Sequence, residues 1–220
     1  MSEKLPIKGI LGLGKASTLY YLNEIQERYQ RKNDLYSTCP FILYQVDFQE
    51  INPFLPNNFS ILIPKLEYFF HQIKELGISK LLVPNITLHE SIDQVSFQFD
   101  ICHPVFLTLK YLAENKISEV CLFGTKYTMN SEYLHHKFSE KNIKMYLPSK
   151  EDQDWIDHFR KSVYSQKSSS EETLKFQQLI RKYSSKSAVI ISCTELSLFS
   201  LKNDSSCIDM ADLQIEEFLR

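Results

Sequence analysis

Three observations predict an α/β protein built on parallel sheets. Strand-type and helix-type hydrophobic patterns alternate along the 220 residues, as they do in chains of right-handed strand-helix-strand crossovers. The run Ala188-Val189-Ile190-Ile191 is β-branched and wholly apolar, the pattern of a strand buried on both faces. Three strand candidates end in amide, hydroxyl or thiol side chains, at Asn85-Ile86-Thr87, Thr125-Lys126-Tyr127-Thr128 and Cys193-Thr194. The carboxyl ends of parallel strands are where open α/β sheets hold their ligands.

The first element is Lys8-Gly9-Ile10-Leu11-Gly12-Leu13-Gly14, a short strand running into a glycine turn. Only five glycines occur in the chain and three of them are here, so backbone freedom is concentrated where strand gives way to helix. Ser17-Thr18 is expected to cap that helix, whose apolar face includes Leu19, Leu22, Ile25 and Tyr29. Such a turn suits an anion. However, the glycine spacing is not the dinucleotide fingerprint, and the P-loop Lys-Ser/Thr is missing at its offset, so nucleotide binding is disfavoured. Residues 41–48 form a second strand candidate that ends at Asp47. Helical periodicity then runs over 62–76 through Leu66, Phe69, Phe70 and Ile73, with Gly77 placed to end it.

Residues 80–84 read as a third strand, 103–115 as a helix and 119–125 as a strand. A helix from Lys126 buries Tyr133 and Leu134, and a short strand covers 144–148. Helices over 152–163 and 172–183 flank a polar loop at 165–170. The strand 188–191 follows, with Cys193 at its carboxyl end and Thr194 opening the next helix.

Composition narrows the function classes. Hydrophobic residues make up 43% and charged residues 24%, with a formal net charge of -2, which leaves no basic footprint for nucleic acid and favours a small-molecule partner. Five cysteines without regular spacing fit free thiols in a reducing compartment, and no Cys-x-x-Cys pair suggests a metal site. The start Met1-Ser2-Glu3-Lys4-Leu5-Pro6 lacks the apolar core of a secretion signal, and no apolar run has membrane-spanning length. A cytoplasmic protein with no membrane partner is expected.

Cys193 has two readings from sequence, an inert buried thiol or an acid/base. If helix amides after Thr194 lie beside the sulfur, they lower the thiol pKa and favour the thiolate. The three polar strand ends converge into a cradle for a carboxylate, unless each is simply a helix cap. Asp47 either positions a substrate ammonium or caps the next turn.

These residues, taken in order, resemble the aspartate/glutamate racemase family. The resemblance rests on Gly12-Leu13-Gly14-Lys15-Ala16-Ser17-Thr18 with Tyr20-Tyr21, on Val46-Asp47-Phe48, on Thr87-Leu88-His89, on Gly124-Thr125-Lys126-Tyr127-Thr128-Met129, on Cys193-Thr194-Glu195 and on Ile208-Asp209. It spans nearly the whole chain. It implies two similar doubly wound, flavodoxin-like halves, 1–102 plus 206–220 and 103–205, with the site in the cleft between them. It further implies a homodimer and catalysis without pyridoxal phosphate or any other cofactor. A cysteine from each half then faces the α-carbon of a small acidic amino acid, one removing the proton and the other returning it. Cys193 is the second of these. Ser17, Thr18, Asp47, Thr87, Thr125, Thr128 and Thr194 become the implied substrate-binding residues.

The sequence departs from that family where the first cysteine belongs. The aligned run Asn85-Ile86-Thr87-Leu88-His89 puts an amide, which does not titrate, in place of the thiol and Ile86 in place of an asparagine. Ser192 stands where a glycine usually precedes the second cysteine, Gln214 stands for a carboxy-terminal histidine, and His89 reads as an orienting residue. Three functions are open: proton transfer on an aspartate- or glutamate-type substrate through Cys193, a single-cysteine decarboxylase or isomerase of the same superfamily, or an inactive small-ligand-binding homologue.

Overall fold

The computed structural model describes residues 7–202 and 204–220; the amino-terminal stretch 1–6 read above lies outside them. Two compact units are found: one takes the described residues up to His103 with Gln214–Arg220, the other Pro104–Leu213.

The first unit begins with β1 (Lys8–Gly12) and α1 (Lys15–Lys32). Strand β2 (Ile42–Gln45) is shorter than its apolar run, because Asp47 starts a 3₁₀ turn over Phe48–Glu50, followed by another over Asn52–Phe54. Helix α2 (Phe59–Glu75) buries Leu62, Leu66, Phe69, Phe70 and Ile73 on one stripe. Gly77, at φ 73, ends it in the left-handed region that a side chain resists. Then come β3 (Lys80–Leu82), the single-turn α3 (His89–Ile92) and the two-residue β4 (Asp100–Ile101). The strand order is β2-β1-β3-β4, all parallel. In α1 the buried face is Thr18, Tyr20, Tyr21 and Ile25, and Leu19, expected inside, is 55% exposed.

The second unit runs α4 (Pro104–Glu114), β5 (Glu119–Phe123), α5 (Lys126–Met129), α6 (Glu132–Ser139), β6 (Lys144–Tyr146), α7 (Lys150–Tyr164), α8 (Ser170–Ser184), β7 (Ala188–Ile191), α9 (Thr194–Ser197) and β8 (Cys207–Asp209). The last helix, α10 (Met210–Leu219), carries the chain into residues of the first unit. The strand order is β6-β5-β7-β8, again parallel. Central β5 and β7 are buried on both faces, whereas the edge strand β6 alternates, as crossover helices on both sides of a sheet require. Phe123, Phe159, Phe176, Val189 and Ile191 form one core cluster. A reciprocal capping box between Ser169 and Glu172 starts α8 after the polar loop.

Candidate functional site

In the second unit the site is set by register. Phe123 of β5 pairs with Ile191 of β7 in parallel, so Thr125 and Cys193, each two residues further on, leave the sheet at the same end. Thr125 caps α5: its Oγ1 accepts from the Thr128 amide at 3.0 Å and lies 2.8 Å from Thr128 Oγ1. Thr128 and Thr194 are buried. The Lys126 amide donates to Asp157 Oδ1 at 3.3 Å, which ties α5 to α7. Burial alone raises the Asp157 carboxyl, but Lys161, Arg160 and the Lys126 amide outweigh it and hold the group below its usual range.

Cys193 is 6% exposed and makes no cap bond to α9; instead its thiol donates to Glu195 Oε2 at 2.9 Å. The expected lowering of its pKa is overturned. Burial first, and then the charge and hydrogen bond of Glu195, push the thiol well above its ordinary value of 9.0, against weaker lowering by Arg160 and the Glu195 amide. A four-residue helix offers little dipole, and a carboxylate in contact with the sulfur disfavours a second negative charge. At neutral pH Cys193 is therefore a protonated donor with a carboxylate acceptor beside it.

Two further residues belong to this end of the unit: Arg160, which no motif in the sequence marks, and Asp209, which enters the sequence reading only through the pair Ile208-Asp209. Arg160 comes from α7; its Nη2 donates to Asp157 Oδ1 at 3.1 Å, while its buried Nε has no partner among the described residues. Asp209, buried at the end of β8, accepts from Ser197 Oγ at 2.8 Å, Ser200 Oγ at 3.0 Å and the Ala211 amide at 2.9 Å. It thereby pins α9, the helix that follows Cys193. Burial and the Asp212 charge raise its carboxyl pKa. The serines three and six residues after Thr194, Ser197 and Ser200, are the available sequence signal for this anchor. Ser192, in the place of a glycine, donates Oγ to the Phe123 carbonyl at 2.8 Å. Room for that hydroxyl comes from Gly124, where a Cβ would stand 2.4 Å from Ser192 Oγ.

In the first unit Gly12 pairs with Gln45 and Ile10 with Leu82, so the turns holding Ser17, Thr18, Asp47, Asn85 and Thr87 share one end of the sheet. The expected capping by Ser17-Thr18 is not what forms. Gly14 is the N-cap of α1, without a side-chain bond, and the two hydroxyl residues sit in the first turn and bond backwards. Ser17 Oγ donates to the Gly14 carbonyl at 3.0 Å, and the Leu13 amide donates to Thr18 Oγ1 at 3.1 Å. Asp47 is exposed and takes the capping role, accepting from the Gln49 amide at 3.0 Å.

Asn85 is half-buried, and its Oδ1 accepts from the Leu88 amide at 3.0 Å. Ile86 is buried and Thr87 half-buried. His89 is fully buried and donates Nδ1–H to the Asn85 carbonyl at 2.8 Å. Its Nε2 has no partner among the described residues, and burial together with His103 pushes its pKa well below 6.5. His89 is thus a neutral imidazole that fixes the Asn85 turn. Gln214 is buried and also braces this end: it accepts from the Tyr21 hydroxyl at 2.6 Å and donates to the Cys102 carbonyl at 2.7 Å.

Among the described residues no cluster of His, Cys, Asp and Glu is arranged to hold a metal, and no helix is long and apolar enough to cross a membrane. No protein-family model matches the sequence, and no curated protein matches it. Solved structures do. An Asp/Glu racemase candidate from Yersinia pestis superposes with a TM-score of 0.82 at 20% identity over 98% of both chains. An aspartate racemase homologue from Pyrococcus horikoshii gives 0.80 at 20% over 98% of both. The aspartate racemase of Picrophilus torridus gives 0.74 at 16% identity, over 97% of this chain and 92% of that one. The chain therefore has the α/β fold, with two four-stranded parallel sheets, of the aspartate and glutamate racemases.

Proposed function

We propose that this protein transfers a proton at the α-carbon of a small acidic amino acid of the aspartate or glutamate type, without a cofactor, and that Cys193 is the residue that transfers it. The observation that carries the reading is the thiol of Cys193 donating to Glu195 Oε2 at 2.9 Å. In the protonating direction the S–H gives its proton to the carbanion, and the thiolate left behind is re-protonated from solvent. In the deprotonating direction Glu195 must first take the thiol proton, so that the thiolate can accept the α-proton. The resting state favours the first direction.

Developing negative charge on the substrate carboxylate needs donors already in place. Thr125, Thr128, Thr194 and the unmatched Nε–H of Arg160 supply them in this reading. Ser17, Thr18, Asp47 and Thr87 are the contributions proposed from the first unit, with Asn85 in the sequence position of the first cysteine. An amide exchanges no proton, so proton traffic on that face passes through water and the two enantiomers react at different rates.

A racemase-like fold and the names of its structural neighbours support the substrate class. The test is proton NMR of L- and D-aspartate and glutamate in deuterated buffer. Loss of the α-proton signal that depends on Cys193 supports the reading; binding of an acidic amino acid without any loss contradicts it.

A second reading is favoured by the same protonated thiol. Decarboxylation of a malonate generates the enolate without a base, and one thiol suffices to protonate it. Release of carbon dioxide from a malonate panel, with no α-exchange in amino acids, would select this reading.

A further inference from the structure

A cavity of about 770 Å³ lies in the second unit at the end of the sheet opposite Thr125 and Cys193, where α4 and α6 hand over to β5 and β6. Its walls are apolar, from Leu109, Leu112, Ile117 and Ile143, and its polar lining includes Lys110, Lys116 and Lys141 but no carboxylate. Lys110 is partly offset by Glu114, 4.0 Å away and i,i+4 on the same helix. Lys116 and Lys141 are exposed.

Two left-handed helix ends meet at the same place. Three non-glycine residues among the described ones have positive φ, and two of them, Lys116 at φ 55 and Asn142 at φ 56, line this cavity. Each ends its helix in a turn closed by a bond from the next residue back into the helix, Ile117 N to Leu112 O at 2.9 Å and Ile143 N to Phe138 O at 3.0 Å. Glycine is the unstrained choice at such a position. A long cationic side chain kept there costs conformational energy of the kind stored at binding sites.

We propose that this cavity, whose volume falls within the roughly 300–1,000 Å³ of small-molecule sites, binds an amphipathic monocarboxylate with an aliphatic chain. The chain lies against Leu109, Leu112, Ile117 and Ile143, and the carboxylate meets Lys116 and Lys141. The site is separate from the proton-transfer site and does not depend on that reading.

The test is equilibrium dialysis of labelled decanoate against the whole protein, with decylamine as the cationic counterpart. Decanoate is expected to bind and decylamine to bind at least tenfold more weakly. The exposed pair Lys116→Glu with Lys141→Glu should weaken decanoate about tenfold, the scale of two charge contacts near a surface. Lys116→Gly should weaken decanoate while raising the melting temperature, because it relieves the left-handed strain. Ala113→Trp, at an exposed position in the cavity wall, should block it while leaving melting unchanged. No saturable decanoate binding, equal binding of decylamine, or binding unaffected in the double glutamate variant would each overturn the proposal.

Discussion

The two sheets are wound alike, yet the ends of their third strands carry opposite chemistry. In both units the spatial order is second strand, first, third, fourth. Beyond β7 the chain presents Cys193, a thiol in contact with the Glu195 carboxylate. Beyond β3 it presents Asn85, an amide engaged in capping the next turn, with Ile86 buried after it and His89 held neutral beneath it. One winding thus ends in a titratable thiol in one unit and in a non-titrating amide in the other. A shared winding fixes where a strand end lies but not whether the residue there titrates.

That contrast is broken most severely at the thiol. Cys193→Ala should reduce α-proton exchange by roughly a hundredfold to ten-thousandfold, the usual range for a general acid/base, with little change in aspartate-induced melting shift. Exchange that survives in this variant would place the chemistry elsewhere.

Giving the first unit a thiol should narrow the difference. Asn85→Cys alone is expected to yield weak racemisation, because Ile86 leaves a substrate oxygen without a partner at a cost of about 1–3 kcal/mol if it is buried. Asn85→Cys with Ile86→Asn should give clearly more, and adding Cys193→Ala should remove the gain. Chiral chromatography of aspartate and glutamate reads all three. A double variant that folds, binds and shows no exchange would disprove the role given to Asn85.

Removing the carboxylate should sharpen the contrast from the other side. Glu195→Gln takes away the charge that, after burial, contributes most to raising the Cys193 thiol. Thiolate absorbance near 240 nm, taken as a difference against Cys193→Ala, should then appear at lower pH than in the unsubstituted protein. No displacement would mean that burial alone sets the pKa.

The smallest effect concerns His89. Its folded pKa is depressed by burial, so the unfolded chain binds the extra proton first as pH falls. The His89 contribution should be constant above about pH 6.5 and decline below it by up to about 1.4 kcal/mol per pH unit. His89→Gln should flatten that part of the urea-midpoint profile, and an unchanged profile would show that another group is responsible.

Much of this is legible in the sequence because it is local. The apolar run 188–191 and the stripe Leu66, Phe69, Phe70, Ile73 dictate a buried strand and an amphipathic helix with little help from the rest of the chain. Strands β4 and β8 are not legible, since two or three residues of pairing leave no period to detect. The cap of α1 differs from the expected one because Ser17 and Thr18 bond back to the glycine turn rather than forward into the helix. The thiol's protonation state is also out of reach of sequence. It depends on the Glu195 side chain turning back onto the sulfur and on Arg160 arriving from α7, neither of which spacing reveals. The anchoring role of Asp209 is hidden for the same reason, as its partners Ser197 and Ser200 come from α9 and the turn after it.

The most direct test of the account is the initial rate of α-proton exchange measured separately from the L and D enantiomers of aspartate and glutamate in deuterated buffer, with Cys193→Ala in parallel. One acid/base on one face predicts strongly unequal rates for the two enantiomers and loss of the faster one in the variant. Rapid and equal exchange from both enantiomers, or exchange that persists without the thiol, would contradict it.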